Sequence, residues 1–329
     1  RVFKLTENGT NVKTEILAGL TTFVTMSYII AVNPDILSTG TGMDESAIFM
    51  ATILAAALST LVMGLVANWP VALAPGMGLN AFFAFTLCGA LGLTWQQALG
   101  AVLISGLLAL IVTLTGLREL MIRAIPMSLR HAVSAGIGFF IMLIGLMNAG
   151  VVVASEATTI ALGDFSNPAT LLALIGLVIT GVLVARKVTG GILLGILITT
   201  IIGIPMGVTQ LPASVVSAPP SLAPTLFKFT FDGLFSVGMI TVIFAMFFTD
   251  LFDTIGTFVG VASKAELMDE QGNMKGGSKA LIMDSLGTII GSLLGTSNTT
   301  TYVESAAGVS VGGRTGLTAL VIAVLFLAA

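Results

Sequence analysis

Long apolar runs, separated by short charged or Gly/Pro-bearing breaks, recur from one end of this chain to the other. Read between those breaks, they predict helical spans at about 13–33, 46–68, 71–91, 95–116, 128–150, 168–186, 190–210, 233–262, 279–295, 298–313 and 315–329. Roughly 20 helical residues cross the hydrocarbon core of a bilayer, so most of these runs are of spanning length. Two are interrupted. VALAPGMGLNAFF (71–83) carries Pro75, Gly76 and Gly78, and TSNTTTYVESAAG (296–308) is polar and β-branched, so neither reads as a continuous helix. Irregular backbone is tolerated at membrane depth only where protein or a cavity covers it, so both segments are expected to be extended, to meet near the midplane and to line a site.

Composition agrees with the pattern. Of 329 residues, 56% are hydrophobic and 9% charged, against about 25% charged in soluble domains. The fold class this predicts is an all-α polytopic membrane protein with short strands in spans 3 and 10. The single cysteine, Cys88, cannot form an intrachain disulfide. Arg1 to Thr10 is polar, so no cleavable signal peptide is expected. A net charge of −3 without a basic, aromatic-rich patch gives no reason to expect nucleic acid as a partner.

The cationic residues orient the chain. With the N-terminus in the cytoplasm, every Lys and Arg except Lys228 falls on the cytoplasmic side, including Arg118, Arg123, Arg130, Arg186, Lys187, Lys275 and Arg314. The stretches 151–167 and 211–231 then lie outside, and the loop 263–278, with Asp269 and Glu270, lies inside. His131 is expected at the interface.

A shift of 228 residues aligns the two halves without a gap. Thr21–Thr25 falls on Thr249–Asp253, Leu58–Val62 on Leu286–Ile290, and the interrupted VALAP (71–75) on TTTYV (299–303). Seven spans precede residue 210, so the second unit is expected to be inverted with respect to the first. It has only four spans by residue 329, and we expect a chain truncated after span 11.

The chemistry concentrates in FTDLFDTIGT (248–257). Asp250 and Asp253, three positions apart, share one helix face. An acid at mid-bilayer costs roughly 2.5–3.5 kcal/mol even on the lenient scale, which points to a substrate or cation site. Like charges there cannot both ionise cheaply, so Asp250, Asp253 or Glu304 is expected to carry a coupling proton. Glu304 is expected to begin the half-helix after the second interruption, and Asn80 lies about one turn into the first. Phe82, Phe83, Phe247, Phe252 and Tyr302 offer flat apolar surface. Carboxylate acceptors, an amide and free backbone donors suit a planar heterocycle bearing N–H and C=O groups. Asp284, and the repeat counterparts Thr22 and Thr25, are further candidates, whereas Glu15 reads as a first-turn helix cap. The sequence contains no His/Cys metal cluster, phosphate loop or nucleophile triad, so an enzyme is not expected, and neither is a cofactor.

TEILAGLTTFVTMSYIIAVNP (14–34), APGMGLNAFFAF (74–85), FFTDLFDTIGTFVGVA (247–262) and TSNTTTYVESAAGVSVGGRTGLTA (296–319) together resemble the AzgA-like purine permeases of the nucleobase:cation symporter-2 (nucleobase–ascorbate transporter) superfamily. That resemblance implies fourteen spans in two inverted seven-helix repeats. It divides the chain into a core domain of 1–116 (spans 1–4) and 232–329 (spans 8–11) and a gate domain of 117–231 (spans 5–7), with gate spans 12–14 absent. It implies substrate binding by Asn80, Asp250 and Glu304, with Tyr302 and Phe82 nearby, and coupling through Asp250, Asp253 and Glu304. The implied function is proton symport of adenine, guanine or hypoxanthine by alternating access across the plasma or inner membrane. The implied partners are a purine, a coupling cation, the bilayer and a second copy in a homodimer. A transporter or channel of the same fold for uracil, xanthine or an anion is the alternative reading.

Overall fold

The computed structural model describes residues 3–117, 127–155, 158–188, 190–210, 218–265, 267, 274 and 276–329. Arg1, Arg118, Arg123, Asp269, Glu270 and Lys275 lie outside the described residues, as do the side chains of Arg130 and His131. The chain divides into two compact units, residues 1–134 with 220–329, and residues 135–219.

The first unit opens with α1 (Val12–Met26), capped by the Asn11 side chain, and α2 (Ile29–Thr41). These two helices replace the single expected span 13–33. The chain breaks at Ser27-Tyr28, where Ile30 N–H and Ala31 N–H bond three residues back, and it runs eight residues further than expected before Gly42 ends it at φ +71°. Pro34 sits inside α2. Helix α3 (Glu45–Val62) continues as a π-helical turn over Met63–Ala67. The third span is strand β1 (Leu73–Pro75), then α4 (Met77–Ala81) widening into a π-helical stretch, Phe82–Ala90. Helix α5 (Trp95–Leu114) starts with a reciprocal capping box between Thr94 and Gln97. Helix α6 (Met127–Asn148) follows and passes from the first unit into the second after Ser134.

The second unit holds a feature the sequence reading missed. Within the stretch 151–167, expected only to lie outside the membrane, β2 (Val152–Ser155) and β3 (Thr159–Leu162) form an antiparallel hairpin, with Val152 opposite Leu162. Alternation is weak there, and the hairpin rests on β-branched content alone. Helices α7 (Pro168–Ala185) and α8 (Gly191–Gly203) come next. The latter stops seven residues short of the expected end: Ile204 keeps helical backbone (φ −61°, ψ −58°), but Pro205 has no N–H with which to continue the hydrogen-bond ladder.

The first unit then resumes with α9 (Val237–Lys264), α10 (Gly277–Leu294), β4 (Thr299–Thr301), α11 (Ser305–Ser310) and α12 (Gly316–Ala328). Two apolar clusters hold α9 at either end. Ile243 and Met246 pack with Phe83, Leu87, Leu99 and Val102. Phe258 and Val261 pack with Trp69, Val71, Leu281 and Val309, the Trp69 and Phe258 rings meeting edge to face at 5.0 Å. Between these clusters lies the acidic stretch, and at its level the helical pattern gives way to strands.

Candidate functional site

Strands β1 and β4 pair antiparallel, Leu73 with Thr301, Ala74 with Thr300 and Pro75 with Thr299. The ladder continues past both ends, through Gly76 N–H to the Asn298 carbonyl (2.9 Å) and Tyr302 N–H to the Ala72 carbonyl (3.0 Å). A two-fold relation that carries residue i to i+228 must map one pair onto itself, and Leu73 and Thr301 are that pair. The repeat offset and the strand register therefore describe one symmetry.

Two strands alone leave outer edges unpaired, which is costly away from water. Neighbouring helices supply the partners. The Thr60 hydroxyl donates to the Leu73 carbonyl (3.0 Å) and accepts from its N–H (2.9 Å). Thr288, at the same offset from Thr60, donates to the Thr299 carbonyl (3.1 Å). The Ser305 hydroxyl accepts from Ala72 N–H (3.0 Å). The approach of α10 to the ribbon depends on glycine: a Cβ at Gly287 would lie 2.9 Å from a Leu73 methyl, and one at Gly291 would lie 2.8 Å from the Ser297 carbonyl.

Three acids gather at this ribbon. Glu304 directly precedes α11, and its Oε1 accepts from the Tyr28 hydroxyl at 2.6 Å. Asp284, fully buried on α10, accepts from Thr254 on α9 (2.9 Å) and from Thr300 on β4 (3.3 Å), and those two hydroxyls are themselves 3.0 Å apart. Asp253, half-buried on α9, directly precedes the Thr254 that bonds Asp284. Asp250, one turn earlier than Thr254, is 1% exposed. The sequence reading paired Asp250 with Asp253. The fold adds Asp284 to the acids around Asp253, and a hydroxyl pair connects Asp284 to the strand backbone.

The remaining expected residues are distributed differently. Asn80 is fully buried, its amide donating to Asn33 Oδ1 at 2.5 Å and its Oδ1 accepting from Ser297. Asn33 in turn donates to Thr52 (2.7 Å) and Thr296 (2.9 Å). Asn80 thus spends its acceptor and one donor on tying α2, α3 and α4 to the segment before β4. The Tyr302 hydroxyl donates to the Pro75 carbonyl at 2.5 Å and locks the ribbon across its width. Phe82 packs against the cluster around Phe83, and Phe247 stacks with Phe244 and Phe248, so these rings serve helix packing. Thr25 returns its hydroxyl to the Thr21 carbonyl (2.7 Å), whereas buried Thr22 lies against Gly308 of α11.

Glu15 needs a correction. It does not cap its own helix. Its carboxylate receives Arg314 N–H (2.9 Å), Thr315 N–H and hydroxyl (3.3 and 2.8 Å) and Thr318 N–H and hydroxyl (3.1 and 2.7 Å), so it caps α12, the last described helix. The orphan donors at a helix start accept a carboxylate from any element the fold brings there. Tyr28 and Asn33 were missed altogether. Asn33, a polar residue beside Pro34 inside an apolar run, carried an available signal; Tyr28 carried none.

Comparison with known proteins agrees with this geometry. The fold matches the transmembrane domain of the cyanobacterial bicarbonate transporter BicA, with a TM-score of 0.65 at 18% identity over 96% of this chain and 80% of that one. The adenine permease AdeP of Escherichia coli is 46% identical over 99% of this chain and 73% of its own length. The guanine/hypoxanthine permease PbuG of Bacillus subtilis is 43% identical over 99% of this chain and 76% of its own. These relatives are permeases, not enzymes. With the Permease family matched over residues 13–329, this multi-pass membrane protein belongs to the xanthine/uracil permeases.

Proposed function

We propose that this protein imports purine nucleobases across the cell membrane by proton symport. Residues 1–116 and 232–329 act as the substrate-carrying core and 117–231 as the gate of an alternating-access cycle. The observation that carries this reading is the antiparallel ribbon of β1 and β4, with Asp284 bonded to Thr300 on β4 and Glu304 at the head of the helix that follows it. Glu304 accepts substrate N–H groups, backbone amides near the strand ends donate to ring nitrogens or carbonyls, and Asp250 completes the binding set. Asp253, one residue before the Thr254 that bonds Asp284, is the acid that exchanges a proton with the binding state. The names of AdeP and PbuG support a purine. The distribution of Lys and Arg supports a cytoplasmic N-terminus.

The likeness to BicA supports the fold alone, and a site with several acids suits a neutral N–H-bearing heterocycle better than an anion. The test is uptake of radiolabelled adenine, guanine, hypoxanthine, xanthine and uracil by cells expressing the protein, with and without a protonophore. Purine uptake abolished by the protonophore is expected. Uptake that follows a sodium gradient instead would replace the coupling ion, and uptake confined to uracil or xanthine would replace the substrate.

A further inference from the structure

Asn298 stands immediately before β4 and is fully buried, yet neither its amide nitrogen nor its carbonyl oxygen has a hydrogen-bond partner. Its main chain is committed, since the carbonyl accepts from Gly76 N–H. An unsatisfied buried polar group costs about 1–3 kcal/mol, and native proteins seldom keep an idle amide at that cost.

The surroundings indicate what the amide faces. Side chains alternate along an extended strand, so Asn298, Thr300 and Tyr302 share one face of β4. Thr300 reaches Thr254 of α9. From Thr254, α9 runs in one direction to Phe258, packed with Val309, and in the other to Asp250 and then Met246, packed with Phe83. The Asn298 end of β4 lies toward Phe83, because the adjacent Ser297 bonds Asn80 two residues before Phe82. One strand period from Thr300 and one helix turn from Thr254 therefore bring Asn298 and Asp250 to the same level.

We infer that Asn298 is a substrate-contacting residue whose amide reads an adjacent donor and acceptor on the bound base. This rests on the purine reading above and adds a specificity determinant to it. A side-chain amide presents an acceptor and a donor side by side, the pattern with which asparagine matches adenine at N6 and N7. Rotated by half a turn, the same amide matches the O6 and N1–H edge of hypoxanthine. Unsubstituted purine lacks the exocyclic group and offers no such pair at position 6; its N3/N9–H edge is common to all three bases and gives no discrimination among them.

The test uses the purified full chain in lipid nanodiscs, with adenine, hypoxanthine and unsubstituted purine as probes in calorimetry and thermal-shift assays. Wild type is expected to prefer the two substituted bases. Asn298→Ala should weaken both by about tenfold and leave unsubstituted purine nearly unchanged, collapsing the discrimination. Its ligand-free melting temperature should equal or exceed that of wild type, because an unpaired amide has been removed. Asn298→Ser carries the same expectations should the alanine variant fail to fold. Equal weakening for all three bases together with a lower ligand-free melting temperature would overturn the inference and make Asn298 a structural amide. Unchanged discrimination would overturn it too. In both cases wild-type purine binding would leave the proposed function standing, whereas a wild type that binds none of the three bases would remove both.

Discussion

The Tyr28 hydroxyl donates to Glu304 Oε1 at 2.6 Å, which joins the break between α1 and α2 to the head of α11 across 276 residues of sequence. A carboxylate at that place would otherwise be free to rotate. The tyrosine fixes one of its oxygens, so that in the substrate-binding role proposed above the acid is oriented before a ligand arrives.

Removing either end of that bond should be measurable. Glu304→Gln is expected to fold and to lose about ten- to a hundredfold in purine affinity, the usual effect of deleting a charged acceptor. Tyr28→Phe should lose less, about three- to tenfold, because the acid remains but is no longer held. Calorimetry on the purified variants checks both, and near-normal affinity in Glu304→Gln would refute the assignment.

The coupling acids separate by a different assay. Asp250→Asn and Asp253→Asn should each impair uptake driven by a proton gradient. At least one, expected to be Asp253→Asn, should retain substrate exchange between preloaded vesicles and medium. Loss of exchange in both would mean that neither acid is dedicated to the proton.

Asp284 bridges Thr254 and Thr300 without any exposure to solvent. Asp284→Ala leaves the Thr254 and Thr300 hydroxyls only each other, so one of them lacks an acceptor, and it should cost about 1–3 kcal/mol. Asp284→Asn keeps an acceptor and should cost less than half as much. Denaturation of the two variants in detergent provides the comparison, and equal stability would deny Asp284 its place under the strand.

Glycine at position 291 is a packing requirement of the ribbon. A valine there would drive branched carbons into the Ser297 carbonyl and the Thr299 side chain, so Gly291→Val should abolish folded protein or transport. Gly291→Ala is expected to be intermediate. Size-exclusion yield and adenine uptake read the series, and a fully active valine variant would contradict the close approach.

Much of this was legible beforehand, and for definable reasons. Apolar length located the helices because the bilayer admits few alternatives, and Pro75 with the run Thr299–Thr301 marked the strands because neither sequence sustains a helix. The offset of 228 matched the segments 71–75 and 299–303, which do meet, while the register that sets Leu73 opposite Thr301 came only with the structure. The partners of the acids were not visible. Tyr28 and Glu304, or Asp284 and Thr300, are related only by the packing of helices, and neither pair has a spacing from which contact can be read. Asn80 illustrates the same point in reverse. Its residue type suits a ligand, but Asn33 and Ser297 claim its amide first.

The clasp around Glu15 bears on the order of assembly. Its hydrogen-bond donors lie some 300 residues further along the chain, which a ribosome adding about 5–20 residues per second reaches roughly 15–60 s later. Until then the first helix carries an acid with none of the partners that bury it, and a carboxylate in that condition stays at the water boundary. The opening helix should therefore be among the last to reach its final depth. With Glu15 retained and Cys88→Ser in the background, nascent chains stalled before Arg314 should leave Ala18→Cys reactive to a membrane-impermeant thiol reagent, and chains stalled well past Ala328 should protect it.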